Sequence, residues 1–402
     1  MRELIVDDEG RLTLPADYLA RHGVRPGDRL LAWTDENRVT LHRVARDAQM
    51  VYLEPTTRCN LNCAICVRQT WRDPPGDMDE AVFEALLAQL SAFPDPSGRA
   101  SGQSLRRIVF GGYGEPLVHP RLPEMLEQAS ALGVEITLTT NGLLLDEEMA
   151  RRLLQTRLDR VVISLDTAHA QAYDGARIAG GLEQVLANAR RLVRLADARP
   201  GLPLDLGLEF VVTRSNRGEL PRLRQVAQDL GASFVLVSHL LPHSPAAAAE
   251  TLYDSDQPLS PPVSWPVSDR GGVVWGRMEL PRMKWGARQL CRFVERRALV
   301  VGWDGGVSPC YPLLHSYPYY VYGTRKEVSR YVLGRVTETS LADIWTSAEY
   351  VQFRARVRAF DFPSCVDCGL ERCDIRAANE DCQGDGPSCA DCLWAQGLIQ
   401  CP

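Results

Sequence analysis

Residues 56–69 read TTRCNLNCAICVRQ, and Cys59, Cys63 and Cys66 in it follow a C-x3-C-x2-C spacing. The apolar run VYLEPTT (51–57) leads into this stretch, so the three thiols leave the end of a strand. The chain then keeps one rhythm to residue 239. RRIVF (106–110), VEITLTT (134–140), RVVISLD (160–166), LGLEFVVT (206–213) and SFVLVSH (233–239) read as short, mostly apolar strands. Helical patterns separate them. Val82, Phe83, Leu86, Leu87 and Leu90 share one face of a helix over 79–90. PRLPEMLEQASALG (120–133), DEEMARRLLQT (146–156), GGLEQVLANARRLVRLA (180–196) and GELPRLRQVAQDLG (218–231) are the other helices. Such alternation specifies an α/β chain whose parallel strands form a partial (β/α)6 barrel over 50–240. Right-handed crossovers bring the strand-to-helix loops to one mouth.

The chemistry of the cysteine loop follows from its count of thiols. Four cysteines would close all four irons of a cubane cluster, whereas three leave one iron open to a small molecule. S-adenosylmethionine (SAM) chelates such an iron through its amino and carboxylate groups. An electron passed to the sulfonium then breaks a C–S bond and leaves a 5′-deoxyadenosyl radical. The competing readings are a zinc site or a disulfide framework. The chain has twelve cysteines, three at 59–66 and seven at 365–401. This bunching, with no secretory leader in MRELIVDDEG, favours cluster ligation in a reducing, cytoplasmic setting.

Further candidates stand at the ends of later strands. FGGYGEPLVHP (110–120) supplies Gly112 and Gly114 for close backbone approach, and Glu115 as an acceptor for a cationic amine. Asn141 in TTNG, with Ser164 and Asp166 in SLD, points toward the mouth as a partner for the ribose or carboxylate of SAM. Arg177 pairs with a carboxylate in the same reading. For each of these, local turn bonding is the plainer alternative. His119, before Pro120, reads as a helix-start residue. Tyr311, beside Cys310, reads as a packing aromatic, with a proton or electron relay as the rival.

CxxxCxxC, GGYGEP, TTNG and SLD, in this order and on these elements, resemble the radical SAM superfamily across roughly residues 50–240. Tyr113 is an insertion in the usual Gly-Gly-Glu. The resemblance implies a 4Fe-4S cluster, reductive cleavage of SAM and a one-electron donor such as ferredoxin or flavodoxin. Residues 241–288 are rich in proline and read as a crossing segment, with Trp265, Trp275 and Trp285 as packing residues. Residues 289–402 have little regular pattern apart from one helix around LADIWTSAEYVQFRARVRAF. They hold Cys291, Cys310, Cys365, Cys368, Cys373, Cys382, Cys389, Cys392 and Cys401. This loop-rich, cysteine-rich stretch resembles the SPASM tail of peptide- and protein-modifying maturases, which implies one or two auxiliary clusters. Cys291, Cys310 and Cys382 are expected on one cluster. Cys365, Cys368, Cys373 and one of the last three are expected on another, with one cluster plus a zinc as the alternative.

The tail pattern together with residues 1–47 is similar to the tungsten cofactor oxidoreductase radical SAM maturase family. That resemblance implies a partner in tungsten-dependent aldehyde oxidoreductases. Within residues 1–47, EGRLTLPADYLARHGVRPGDRLLAW resembles the AbrB-type swapped-hairpin module, which implies a homodimer. Those residues hold eight arginines, no lysine and nine acids, a net charge of −1 that gives little attraction for nucleic acid. The whole chain carries −6 and no long apolar run, so nothing in it calls for an anionic partner or a bilayer. Two rival functions stand beside maturation of a tungsten enzyme. One is a peptide-modifying maturase that forms thioether or carbon–carbon crosslinks. The other is a DNA-binding iron–sulfur sensor, which leaves GGYGEP, TTNG and SLD unexplained.

Overall fold

Short strands buried on both faces leave the chain few ways to satisfy its backbone except as a central sheet. The computed structural model describes residues 7–21, 24, 28, 30–35, 38–44, 48–91, 105–167, 181–199, 201, 203–253, 278–279, 289–321, 324–363, 365, 368, 380–384 and 386–402. Helix α1 (Ala16–Arg21) precedes an antiparallel hairpin of β1 (Leu30–Asp35) and β2 (Arg38–Arg43). Gly23, Arg177, Trp265, Trp275, Trp285 and Cys373 lie outside the described residues.

The barrel follows in the anticipated order. Its elements are β3 (Met50–Leu53), α2 (Glu80–Ser91), β4 (Arg107–Phe110), α3 (Leu122–Ser130), β5 (Glu135–Thr140), α4 (Glu147–Gln155), β6 (Arg160–Ser164), α5 (Gly181–Asp197), β7 (Asp205–Val212), α6 (Leu220–Leu230) and β8 (Phe234–His239). β3 to β8 pair in parallel, each with its successor. Alternation along each strand decides what it packs against. Val51, Leu53, Ile108 and Phe110 turn toward the helices, where Leu86, Leu122 and Leu126 meet them. Met50, Tyr52 and Val109 turn the other way, into a second core shared with Phe293, Tyr311, Tyr317 and Leu398 of the C-terminal part. Local chemistry sets the helix starts: Asp146 accepts from the Met149 N–H at 2.8 Å to cap α4.

The C-terminal part is more regular than its sequence suggests. After α7 (Pro245–Ala249) and β9 (Met278–Glu279) come α8 (Arg292–Glu295), β10 (Ala298–Val301), β11 (Gly306–Ser308), β12 (Tyr317–Val321), β13 (Thr324–Val328) and β14 (Gly334–Arg335). β10 joins β3 in parallel, and β11 and β14 continue the sheet, so it has ten strands in the order β14-β11-β10-β3-β4-β5-β6-β7-β8-β9. The single helix expected over LADIWTSAEYVQFRARVRAF is two, α9 (Leu341–Thr346) and α10 (Ala348–Ala359). Ser347 divides them: its backbone is extended, and its hydroxyl accepts from the Tyr350 N–H at 3.2 Å.

Residues 393–402 form a strap from one end of the six-strand run to the other. Next to β8, the His239 N–H donates to Leu398 O at 2.9 Å and the Gln400 N–H to Ser238 Oγ at 3.0 Å. At β3, the Tyr52 hydroxyl donates to Pro402 O at 2.7 Å. Leu398, fully buried in the second core, anchors the strap. Leu398→Ala is expected to cost about 2–5 kcal/mol. A lowered melting temperature, with faster amide exchange at His239 and Gln400 than in the rest of the sheet, checks this; unchanged exchange there refutes the anchoring role.

Candidate active site

A loop with no regular structure keeps its shape only if its polar backbone groups find partners elsewhere. The Cys59–Cys66 loop finds them in its own side chains and in residues 76–78. Thr57 N donates to Gly76 O at 3.0 Å, and Gly76 N to Thr57 Oγ1 at 2.8 Å. Met78 N donates to Pro55 O at 2.8 Å. Arg68 reaches back under the loop, and its guanidinium donates to Leu61 O at 2.8 Å and Thr57 O at 3.3 Å. Its charge also lowers the pKa of Cys59, though burial outweighs it and holds that thiol above its ordinary value.

The glycine turn packs onto this loop. A Cβ on Gly114 would stand 2.1 Å from Thr56 O, so only glycine lets the two backbones meet. Gly112 has φ +107, and a Cβ there would stand 2.6 Å from Glu54 Cγ. The space these glycines leave is therefore taken by the chain itself. Glu115 N donates to Arg58 O at 2.8 Å. The Glu115 carboxylate, buried, accepts from Thr140 Oγ1 at 2.7 Å, Asn141 N at 2.7 Å and Leu117 N at 3.0 Å. It thus ties the turn after β4 to TTNG after β5, besides facing the mouth. Asn141 in turn donates from Nδ2 to Asn60 Oδ1 at 2.8 Å, with Cys59 Sγ at 3.8 Å. His119 is a structural link: Nε2 lies 3.0 Å from Met78 O, and Nδ1 accepts from Arg121 N at 3.2 Å.

One cavity of about 290 Å³ gathers these motifs at the C-terminal ends of the strands. Cys59, Cys63 and Cys66 line it together with Gly112, Gly114, Glu115, Asn141, Ser164 and Asp166. The wall also includes Glu209 on β7, Ser238 and His239 on β8, Tyr52, Tyr113 and Tyr311, and Trp394, Gln400 and Cys401 from the strap; of these, sequence reasoning missed Glu209, Ser238, His239, Tyr52, Trp394 and Gln400. A carboxylate inside the apolar run LGLEFVVT was a visible signal for Glu209. The strap residues carry no local signal, because they reach the mouth only through tertiary contacts. Tyr311 is both a packing aromatic and a wall residue, edge-on to Tyr52 at 5.1 Å and to Tyr113 at 5.9 Å.

Behind the glycine turn lies a buried ionic group. His315 Nε2 is 2.7 Å from Glu54 Oε2, and its Nδ1 is 3.1 Å from Asp73 Oδ2. Trp71 stacks on the imidazole at 4.0 Å. Burial alone would lower the pKa of this histidine. The charge of Glu54 and the bonds to both carboxylates overcome that and raise it to about 9. Glu54 Oε1 also accepts from Tyr113 N at 3.1 Å, so the imidazolium supports the turn through Glu54.

Cys291, Cys310, Cys389 and Cys392 lie within electrostatic reach of one another. Burial pushes all four thiols up, Cys291 to about 12, and the neighbouring cysteines add to it at Cys291, Cys310 and Cys389. Cys365 is half-buried, and Cys368 and Cys382 are exposed. Cys401 lines the cavity. No disulfide joins two of the eleven described cysteines. Among the described residues no three histidine, cysteine or acidic side chains converge enough to hold a single metal ion. The ligands of a cubane stand further apart, since each binds a different iron.

Comparison with known proteins agrees with this architecture. Residues 53–196 match the model of the radical SAM superfamily, and residues 291–369 match SPASM, an iron–sulfur cluster-binding domain. The chain is 37% identical over 359 residues to the tungsten-containing aldehyde ferredoxin oxidoreductase cofactor-modifying protein of Pyrococcus furiosus, covering 88% of this chain and 96% of that one. It is 32% identical over 183 residues to the PqqA peptide cyclase of Granulibacter bethesdensis, covering 45% of this chain and 44% of that one. Its fold is similar to that of Streptococcus suis SuiB bound to S-adenosylmethionine, with a TM-score of 0.55, 16% identity, and coverage of 80% of this chain and 71% of the other. No helix among the described residues is long and apolar enough to cross a membrane.

The raised pKa of His315 has a definite sign in stability. Its folded value lies above the unfolded one of about 6.5, so the stabilisation is fully present below about pH 6.5 and is lost as pH rises through about 9. It amounts to no more than about 3 kcal/mol. The melting temperature should therefore fall between pH 7 and 9.5 in the native protein. His315→Gln should melt lower at pH 6 and show a flatter profile; parallel profiles for the two proteins refute this role.

Proposed function

This chain belongs to the radical SAM superfamily, and from that premise we propose that it matures a tungsten-dependent aldehyde oxidoreductase by modifying its cofactor. It is a radical SAM enzyme that uses SAM and a 4Fe-4S cluster, with auxiliary iron–sulfur binding in its SPASM domain. The finer assignment is supported by its similarity to the Pyrococcus protein over nearly the full length of both chains.

One observation carries the site reading: three thiols on one loop share a cavity with Gly112, Gly114, Glu115, Asn141, Ser164 and Asp166 of the strand ends. Cys59, Cys63 and Cys66 are the ligands of the SAM cluster in this reading. Their donor set fits, because the loop offers three thiols and no fourth. Bound together, the cluster and SAM supply a 5′-deoxyadenosyl radical that abstracts hydrogen from the substrate. The chain's own residues do the positioning. Arg68 and Asn141 hold the loop, and Glu115 locks the two turns beside it. Gly112, Gly114, Asn141, Ser164 and Asp166 face SAM, and Arg177 pairs with its carboxylate. The walls of Tyr52, Tyr113 and Tyr311 keep water from the reacting carbon.

Cys291, Cys310, Cys389 and Cys392 hold one auxiliary cluster in this reading. Four neighbouring thiols, Cys310 and Cys389 buried and Cys291 and Cys392 half-buried, suit a cationic iron core, which would draw off their protons. Cys365, Cys368, Cys373 and Cys382 hold a second. The chain divides into an AbrB-like module (1–47), the barrel (50–240), a crossing segment (241–288) and the auxiliary-cluster region (289–402). The first module serves dimerisation or docking of the oxidoreductase. Ferredoxin or flavodoxin supplies electrons, and the cytoplasm is the compartment, since free thiols in this number need a reducing one.

Two experiments test this. Anaerobic protein given dithionite and SAM should form 5′-deoxyadenosine. Cys59, Cys63 and Cys66 replaced together by Ala should abolish it while iron stays bound to the tail, and retained cleavage refutes the site. For the substrate, mass spectrometry of a tungsten oxidoreductase and its cofactor, produced with and without this chain, should show a mass difference. Identical masses, with a new crosslink in a small peptide instead, would favour the peptide-modifying alternative.

A further inference from the structure

The strap that spans the barrel mouth brings one thiol of the tail into the reaction cavity. Cys401 lines the same space as Cys59, Cys63 and Cys66. Its sulfur accepts a hydrogen bond from Trp394 Nε1 at 3.4 Å. That bond occupies a lone pair and leaves the S–H to be presented elsewhere. A second, independent feature marks this wall as a place for a ligand. Gln400 is 5% exposed and lines the cavity. Its Nε2 donates to Val237 O at 3.2 Å, while its Oε1 meets no donor among the described residues. A buried carbonyl without a donor is costly unless a bound molecule supplies one. The Glu209 carboxylate lines the same wall, so the strap side suits a ligand with N–H or O–H groups.

We infer that Cys401 is a hydrogen-atom donor to carbon radicals in this cavity and not a cluster ligand. The inference rests on the radical SAM reading above. An S–H bond is weaker than the C–H bond of a primary carbon, so the transfer runs downhill. The S–H bond breaks homolytically as a C–H bond forms at the radical carbon, leaving a thiyl radical on Cys401. One electron from the reductant that serves the cluster and one proton from solvent restore the thiol. The strap's hydrogen bonds at Ser238 and His239 and the Tyr52 bond to Pro402 O hold Cys401 on the cavity wall.

The test needs no identified substrate. Full-length, cluster-loaded protein is given SAM and dithionite in deuterated water, where a thiol carries deuterium but carbon does not. The 5′-deoxyadenosine formed should carry one solvent deuterium. Cys401→Ser keeps the size of the side chain but has an O–H bond too strong to donate, and its product should lose that label. Its iron content and auxiliary-cluster electron paramagnetic resonance signals should match the native protein. Label retained in Cys401→Ser would shift the role to a tyrosine hydroxyl of the wall and overturn the inference, as would unlabelled product from the native protein or loss of iron from the variant. A second measurement does not depend on turnover. Cys401→Ser should bind as much iron as the native protein, and iron lost from the variant makes Cys401 a ligand and overturns the inference. Absence of any 5′-deoxyadenosine from native protein instead defeats the radical SAM reading, and the iron content still decides whether Cys401 is a ligand.

Discussion

The buried carboxylate of Glu115 is the joint on which the site depends. It binds the turn after β4 to the turn after β5 through Thr140 and Asn141. The backbone beside it touches the cysteine loop, where Gly114 sits against Thr56 O and Glu115 N donates to Arg58 O. Three loops from three strands thereby become one rigid mouth. A cysteine loop alone has no reason to hold three thiols in a fixed array, because each residue left free would keep one or two kilocalories per mole of backbone entropy. The glycine motif supplies the missing constraint by letting two backbones approach with no side chain between them. Seen this way, GGYGEP shapes the loop that carries the thiols as much as it shapes the space for a ligand.

Much of this was legible because the barrel is written locally. Buried strands of four to eight residues, amphipathic helices and a capping Asp146 repeat in phase, so each element announces itself. The three thiols were legible from spacing, and Asn141, Ser164 and Asp166 from their places at strand ends. What escaped is non-local. β10 is a four-residue run whose partner is β3, near the other end of the chain. His315 meets Glu54 across 261 positions. The proximity of Cys389 and Cys392 to Cys291 and Cys310 depends on how the tail folds back, which spacing does not encode. Glu209 is the exception, since a carboxylate inside an apolar strand was in view and went unread.

The C-terminal part does two jobs that a barrel of six strands leaves undone. β10 and β11 cover the free edge of β3, which would otherwise expose unpaired backbone groups. The strap crosses from β8 to Tyr52 and supplies the last wall of the cavity. The second core, with Tyr52, Val109, Tyr311 and Leu398, welds the two parts through aromatic and aliphatic contact. Auxiliary-cluster binding and the reaction cavity therefore share structure: Cys310 is followed directly by Tyr311, one residue facing the grouped thiols and the next facing the mouth.

That adjacency bears on why the tail is rich in cysteine at all. Loops with few long apolar runs gain little from burial and fold only if something crosslinks them. Disulfides would serve, but none joins two of the described cysteines, and Cys291, Cys310, Cys389 and Cys392 stand together, buried or half-buried, where ionisation without a cation is unfavourable. Lys326, buried against Asp391, and Arg356 lower the pKa of Cys389 but do not offset its burial. An iron–sulfur core balances thiolate charge and crosslinks the loops in one step. The strap follows directly after Cys392, so fixing that residue also fixes the start of the segment that closes the barrel. Ligation in the tail and the shape of the reaction cavity are in this way a single structural problem, solved by the same residues.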